Sequence, residues 1–318
     1  MTIRALWHLT ENRSAIREQE LPEENDTLLI KTRYSLISLG TERLVATGGV
    51  PESMYESMRV PHQEGSLGLP VKYGYSLVGE VQEGPADWKG QFVHLLHPHQ
   101  DYCRVKRPEA TLLPSTLDPA VATLASNMET ALNAVWDAGL SAGDRVLVVG
   151  FGLIGALTAR LAKAFPATEV YVSELNSYRR NLALEWGFRA WEEELPAVDI
   201  AFHASRSSAG LQQAIDASGM EGRIVELSWY GEDEVRLQLG GDFHHLRKQV
   251  ISSQVSSIPG KRAARWDYQR RKAAVLRILQ EQDWSPLLDQ RILFSETPAF
   301  FQRLRRGQVE RLSGLVVY

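Results

Sequence analysis

The chain is poor in cysteine: Cys103 is the only one among 318 residues. One thiol excludes an internal disulfide framework and any structural zinc site built from several thiolates, and it fits a reducing compartment. Charge of one sign is also missing. With 35 Lys and Arg against 39 Asp and Glu, the formal net charge is -4, which argues against nucleic acid or an anionic membrane surface as partner. Long hydrophobic runs are absent as well. The most apolar stretch, Val146 to Ala162, is broken by Gly150, Gly152, Gly155 and Arg160, so it reads as strand, turn and helix rather than a bilayer span. Met1 to Glu11 lacks the apolar core and cleavage pattern of a secretory signal. No internal repeat or low-complexity tract is visible. The expectation is a cytoplasmic globular protein, long enough for two domains with cores of their own.

What is present changes character along the chain. The first third reads as short strands between Gly, Pro and Asn clusters: Leu28 to Tyr34, Ser76 to Val81 and Phe92 to Leu96. From Pro119 to Asp137 the apolar residues follow helical spacing. Then strands alternate with helices: Arg145–Val149, a helix to about Phe165, Glu169–Glu174, a helix over Tyr178–Trp186, Val198–His203, a helix over Gly210–Ala217, and Gly222–Leu227. That alternation predicts a parallel sheet covered on both faces. Beyond Ser257 come an arginine-rich helix, Tyr268–Gln282, and a last strand, Leu312–Tyr318. The division this implies is residues 1–118, β-rich; residues 119–256, α/β; and residues 257–318, a tail too short for a domain, which returns to complete the first.

Gly150-Phe151-Gly152-Leu153-Ile154-Gly155 fits the G-x-G-x-x-G pattern. Alone the pattern says little. Here a valine-rich strand precedes it, a helix opens after it, and the next strand ends in Glu174, 19 residues beyond Gly155. This is the context of a dinucleotide-binding turn. Gly150 permits the tight turn, Gly152 admits the pyrophosphate, and Gly155 lets the helix pack on the strand. The N–H groups around Leu153 and Ile154, with the positive end of the helix dipole, suit phosphate oxygens. Glu174 suits a ribose diol and repels a 2′-phosphate, which favours NAD(H). Arg179 and Arg180 close behind keep NADP(H) open. His203, Ser205, Ser228 and Trp229 fall just past strands of the α/β unit, where such sheets bind their ligands.

With these motifs in view, the whole chain resembles the medium-chain dehydrogenase/reductase superfamily. Carrying the resemblance are Gly40-Thr41-Glu42, the run Gly74-Tyr75-Ser76-Leu77-Val78-Gly79-Glu80-Val81, Thr130, the glycine fingerprint and Gly222-Arg223-Ile224-Val225. The resemblance implies an α/β protein with a GroES-like β-rich catalytic domain and a Rossmann, doubly wound parallel-sheet domain. It implies that Thr41 touches the substrate oxygen and that Thr130 faces the nicotinamide. Ile37 to Leu44, Thr47-Gly48 and Ser252 to Val255 resemble a zinc-less branch that includes the bacteriochlorophyllide a dehydrogenases. The departures fit that branch. Leu39 stands where zinc-dependent members carry a cysteine, Tyr75 where they carry the ligand histidine, and Ser126 where they carry a second cysteine. Leucine cannot bind zinc, and the remaining groups make no tetrahedral site, so no zinc is expected.

Without a metal, side chains must polarise the substrate oxygen or move its proton. Tyr75 is either a donor in the cleft or a space-filling aromatic. His97 and His99, beside Asp101, are either a proton relay or hydrogen-bonded loop residues. Met54, Tyr55 and Met58 cover an apolar substrate or pack a core. Arg262, Arg265, Arg270, Arg271 and Lys272 are a solvated helix face or a rim for an anionic substrate. The expected function is zinc-independent hydride transfer between NAD(H) and a small-molecule carbonyl or alcohol. A quinone or enone reductase and a nucleotide-binding scaffold without chemistry are the alternatives. Val235 to Leu239 alternates like an edge strand, and a homodimer paired through it is expected.

Overall fold

The computed structural model describes residues 1–318. The chain forms two compact units. The first comprises Met1–Ser126 with Leu276–Tyr318, the second Asn127–Val275. Both divisions fall inside helices. A shift in sequence pattern marks a change of architecture, and a helix keeps its own period across such a change.

In chain order the first segment contributes β1 (Thr2–Thr10), β2 (Arg13–Glu20), β3 (Thr27–Ser38), α1 (Leu39–Ala46), β4 (Glu64–Gly65), β5 (Val71–Lys72), β6 (Leu77–Glu83), β7 (Phe92–Leu95), β8 (Tyr102–Lys106) and β9 (Ala110–Leu112). After these come α2 (Pro119–Ala122), α3 (Ala125–Ala138), β10 (Arg145–Val149), α4 (Leu153–Lys163), β11 (Glu169–Ser173), α5 (Ser177–Glu185), β12 (Arg189–Ala190), β13 (Val198–His203), α6 (Ser208–Ala217) and β14 (Ser218–Glu226). The chain closes with α7 (Asp242–His245), β15 (Gln249–Ser252), α8 (Gly260–Ala263), α9 (Tyr268–Glu281), β16 (Arg291–Leu293), α10 (Thr297–Arg305) and β17 (Ser313–Val317).

The first unit is built on β3. This long strand pairs antiparallel with β6, β8 and β17 in a seven-stranded sheet, and a four-stranded sheet runs β2-β1-β5-β4. β3 alternates well enough to serve two cores. Leu28 and Ile30 pack with Leu77, Val93, Leu95 and Cys103, while Ile37 packs with Leu6, Leu39, Phe300, Phe301 and Val316. The C-terminal residues therefore supply much of the second cluster. Two phenylalanines of α10 and a strand beside β3 remove apolar surface from water that the first segment would leave exposed.

The second unit has six parallel strands in the order β12-β11-β10-β13-β14-β15. β10 is central, and Val146 to Val149 are buried, as a strand covered on both faces requires. The connections leave β10 in opposite directions, to β11 on one side and β13 on the other. The carboxyl ends of β10 and β13 thus frame a switch point, the usual ligand crevice of such sheets.

Two expectations change here. Val235 to Leu239 is not a strand, and the sheet edge is β15. Val235 and Leu237 instead pack against the cluster of Leu147, Leu211 and Ile215, and the Gln238 N–H donates to the Gln212 side chain at 2.7 Å. Alternation reports that one side is buried; it does not say whether a sheet or a helix covers it. The basic run is likewise no simple solvated face or rim. Arg271 and Lys272 are buried against Glu129, Arg271 also reaches Asn133 at 2.9 Å, and Arg262 and Arg270 lie over the rings of Trp136 and Trp266.

Candidate cofactor and active site

The glycine turn ends β10. Gly150 has φ +93°, and a Cβ there would lie 2.8 Å from the Ser205 backbone nitrogen. A Cβ on Gly155 would lie 1.9 Å from the Gly150 carbonyl oxygen, so only glycine lets α4 pack this close to the strand. Gly152 caps α4 without any side-chain bond, which leaves the N–H groups at Leu153 and Ile154 to whatever acceptor approaches. The Arg179 guanidinium lies beside Gly152, 3.8 Å from the position a Cβ would take. Glu174 is fixed by two backbone donors, Phe151 N–H at 2.6 Å and Asn176 N–H at 2.7 Å. A cavity of about 860 Å³ joins these groups; Gly150, Gly152, Glu174, Arg179, Ser205 and Gln213 are among its lining residues.

Past β13 and β14 the chain adds polar groups. His203 is fully buried and touches Glu226 through Nδ1 and Ser205 through Nε2, at 2.7 Å each. Ser228 donates its N–H to Glu226 and accepts at Oγ from the Arg206 N–H. Of His203, Ser205, Ser228 and Trp229, Ser205 alone lines the cavity, and His203 lies buried behind it. Glu226 escaped the sequence reading. Its only signal was its place at the end of a strand, next to residues already singled out.

In the first unit, Thr41 is half-buried on α1, and the acid beside it points inward. Glu42 accepts the Ser38 N–H at 2.9 Å and meets His99 Nε2 at 2.8 Å, with both side chains fully buried. His99 Nδ1 meets Ser35 Oγ at 2.7 Å, and Ser35 meets the Tyr318 hydroxyl at 2.9 Å. Both nitrogens of His99 are thus engaged inside the protein and none is left for a substrate. His97 is buried, bonds Pro98 O through Nδ1 at 3.0 Å and stacks on His62. Burial, and then the neighbouring His62, push its pKa down to about 3. The two histidines do not share a relay.

Tyr75 is half-buried, with its ring edge-on to Tyr73 at 6.1 Å. Around it lies a cluster that the sequence did not reveal. His94 Nε2 sits 3.2 Å from both Ser76 Oγ and Ser126 Oγ. Ser126 donates to Tyr75 O at 2.8 Å and Ser76 donates to Thr123 O. Each hydroxyl proton is therefore committed to a carbonyl, and His94 Nε2 must be the donor to both serines. Thr130, in the second unit, is half-buried on α3.

This donor set does not fit a catalytic zinc. Leu39 is core, the tyrosine at position 75 brings no imidazole, and Ser126 offers a hydroxyl already bonded to a carbonyl. No group of three or more His, Cys, Asp or Glu is arranged to hold a metal ion. Cys103 lies in the core, where burial pushes its thiol up to about 12. No helix is long and apolar enough to cross a membrane.

No family model matches the chain. It is similar to the uncharacterized zinc-type alcohol dehydrogenase-like protein YphC of Escherichia coli, 26% identical over 175 residues, which span 50% of this chain and 49% of that protein. It is similar to the (R,R)-butanediol dehydrogenase of Bacillus subtilis, 26% identical over 271 residues, 70% of this chain and 76% of the other. Among solved structures it matches a protein assigned as a zinc-binding dehydrogenase from Sinorhizobium meliloti, bound to NADP, with a TM-score of 0.79 and 21% identity over all of both chains.

The low pKa of His97 carries a stability signature. A buried histidine held neutral binds its proton less readily than in the unfolded chain, so stability is full above the ordinary pKa of 6.5 and is lost as pH falls toward about 3. Urea titrations at pH 7, 6 and 5 should show His97 contributing about 1.4 kcal/mol of loss per pH unit below about 6. In His97→Asn that share of the slope should vanish. An unchanged slope would mean that His97 takes up its proton as readily in the native protein as in the unfolded chain.

Proposed function

We propose, from the chain's similarity to zinc-type alcohol dehydrogenase-like proteins, that it is an oxidoreductase of the medium-chain dehydrogenase/reductase superfamily, acting on a small-molecule carbonyl or alcohol with NAD(H) and without zinc. The observation that carries this reading is the glycine turn with Glu174 fixed above it. Gly150, Gly152 and Gly155 would seat the pyrophosphate against the start of α4, at Leu153 and Ile154. Arg179, beside Gly152, would neutralise phosphate charge. Both Glu174 oxygens keep a lone pair beyond their backbone donors, enough to accept the hydroxyls of an adenosine ribose. Ser205 would form the far wall with His203 and Ser228 behind it, and Thr130 would face the ring. When bound, the nicotinamide supplies or accepts hydride.

Thr41 and Tyr75 are the hydroxyls we assign to the substrate oxygen. A threonine or phenol can orient a carbonyl and stabilise part of its developing charge, which is the part a metal would otherwise play. His97 and His99 hold the frame beneath. A quinone or enone reductase is the second reading, favoured by the donor set around Leu39, Tyr75 and Ser126, because such a substrate needs no Lewis acid. The segments Ile37–Leu44 and Ser252–Val255 favour the bacteriochlorophyllide a dehydrogenase-like branch. Assembly as a dimer is proposed through the outer edge of β15. Its residues Gln249-Val250-Ile251-Ser252 carry no charge, and Val250 is exposed.

Calorimetry with both cofactors tests the first assignment: NAD(H) should bind at least about tenfold more tightly than NADP(H), because a carboxylate and a 2′-phosphate repel at contact distance. Tighter NADP(H) would transfer the decision to Arg179 and Arg180. Binding of either without turnover on alcohols, carbonyls or quinones would identify a scaffold instead. Elemental analysis of protein purified without chelator should find no stoichiometric zinc, and chelation should leave melting and turnover unchanged. About one zinc per chain, lost together with activity, would overturn the metal reading. Light scattering after size exclusion should give twice the chain mass at micromolar concentration; a single species at one chain mass would exclude a stable dimer.

A further inference from the structure

The glycine turn is not the only chemistry at the mouth of the parallel sheet. Ser205, His203 and Glu226 stand in series there, with Ser205 Oγ 2.7 Å from His203 Nε2 and His203 Nδ1 2.7 Å from Glu226 Oε2. Glu226 is held from both sides: Oε1 accepts the Ser228 N–H at 2.6 Å, and Oε2 accepts the Tyr230 hydroxyl at 3.0 Å. Burial pushes this carboxyl upward, yet the bonds from His203 and Ser228 outweigh it and the net shift is downward. A carboxylate only accepts, so His203 Nδ1 carries the hydrogen. In the neutral ring Nε2 then presents a lone pair, and the Ser205 hydroxyl must be its donor. Hydroxyl, imidazole and carboxylate in this order are the arrangement that activates a serine nucleophile.

The burial pattern suits that chemistry. His203 is sealed, whereas Ser205 is exposed and lines the cavity. Gly210 keeps the hydroxyl accessible to the imidazole, since a Cβ there would lie 2.3 Å from Ser205 Oγ and 3.0 Å from His203 Nε2. Ser207, Ala209 and Gly210 share the cavity wall with Ser205 at the first turn of α6; there Ser207 Oγ caps the Gly210 N–H, which leaves the Ser208 and Ala209 N–H groups without a helix partner. They are suited to an oxyanion formed on a group attached to Ser205.

We infer that Ser205 is a nucleophile activated by His203 and Glu226, and that the cofactor-free protein cleaves small activated carboxylic esters at this site. Ser205 Oγ adds to the ester carbonyl carbon while its proton passes to His203 Nε2. The C–O bond to the leaving group breaks, and the departing alcohol takes that proton. Water then adds to the acyl carbon and gives a proton to His203, which returns it to Ser205 Oγ as the acid leaves. One ester and one water yield one acid and one alcohol, with no change of oxidation state. The inference does not need the hydride-transfer reading. It shares only the cavity, so a bound dinucleotide should cover Ser205.

The test uses full-length protein freed of nucleotide, a fluorophosphonate probe and p-nitrophenyl acetate. One phosphonyl adduct per chain should form and map to Ser205 by peptide mass spectrometry. Ser205→Ala, a change at an exposed position, should abolish the adduct and the ester turnover that accompanies it. His203→Gln and Glu226→Gln should each slow labelling by at least about 100-fold, since one removes the base and the other its orientation. Melting curves will show that each variant is folded. A Ser205→Cys variant should react with iodoacetamide at position 205 and not at buried Cys103. Saturating NADH should protect Ser205. Labelling that persists under NADH would support the nucleophile and count against the cofactor reading. No adduct at Ser205 in folded protein, or labelling indifferent to His203→Gln and Glu226→Gln, would overturn the inference.

Discussion

Two bare backbones touch in the second unit, and its chemistry depends on that contact. Helix α4 reaches β10 only because neither residue 150 nor residue 155 bears a side chain; a Cβ on Gly155 would fall almost on the Gly150 carbonyl oxygen. The same turn leaves room for the chain after β13, since a Cβ on Gly150 would meet the Ser205 backbone. From this one close approach follow the open start of α4, the anchoring of Glu174 on the Phe151 N–H, and the place of Ser205 on the cavity wall. Glycine loses more conformational entropy on folding than other residues. Here it serves a cavity rather than a core.

The first unit depends on a different constraint. Its interior carries polar groups at full burial, and an unpaired one would cost several kcal/mol by order of magnitude. Most of the buried histidines' and serines' polar atoms are arranged in hydrogen bonds, several of them in chains, while His8 Nε2 has no partner. Tyr318, Ser35, His99, Glu42 and the Ser38 backbone form one; His94, Ser76, Ser126 and two carbonyls form another. The first ties the C-terminal residue to β3 and to the start of α1, the helix that carries Thr41. The imidazoles of these two chains, His99 and His94, act as struts, each holding two partners at set distances.

The second chain of bonds gathers a distinctive donor set. Ser126 offers a hydroxyl, Tyr75 a phenol, and His94 braces Ser126 and Ser76 by donating to both. These are groups that donate and accept hydrogen bonds rather than groups that bind a soft cation.

The sequence by itself determined the parallel sheet, the glycine turn and the acid above it. Each of these is a local pattern: a run of valines, three glycines at fixed spacing, a carboxylate at the end of the next strand. Local patterns carry their own physics, because backbone period and steric demand act over a few residues. The fates of individual polar side chains were decided only by the tertiary structure. His99 reads in sequence as half of a pair with His97, yet its partners are Glu42, 57 positions away, and Ser35, 64 away. Arg271 reads as part of a charged face and is buried on Glu129, 142 positions away. Val235 to Leu239 reads as an edge strand and lies against the cluster that includes Leu211 and Ile215 of α6. His203 and Glu226 ended their strands as separate residues until the sheet set β13 beside β14 and placed them 2.7 Å apart. Whether a polar group faces substrate or interior depends on which distant residue completes its hydrogen bonds, and no local period encodes that choice.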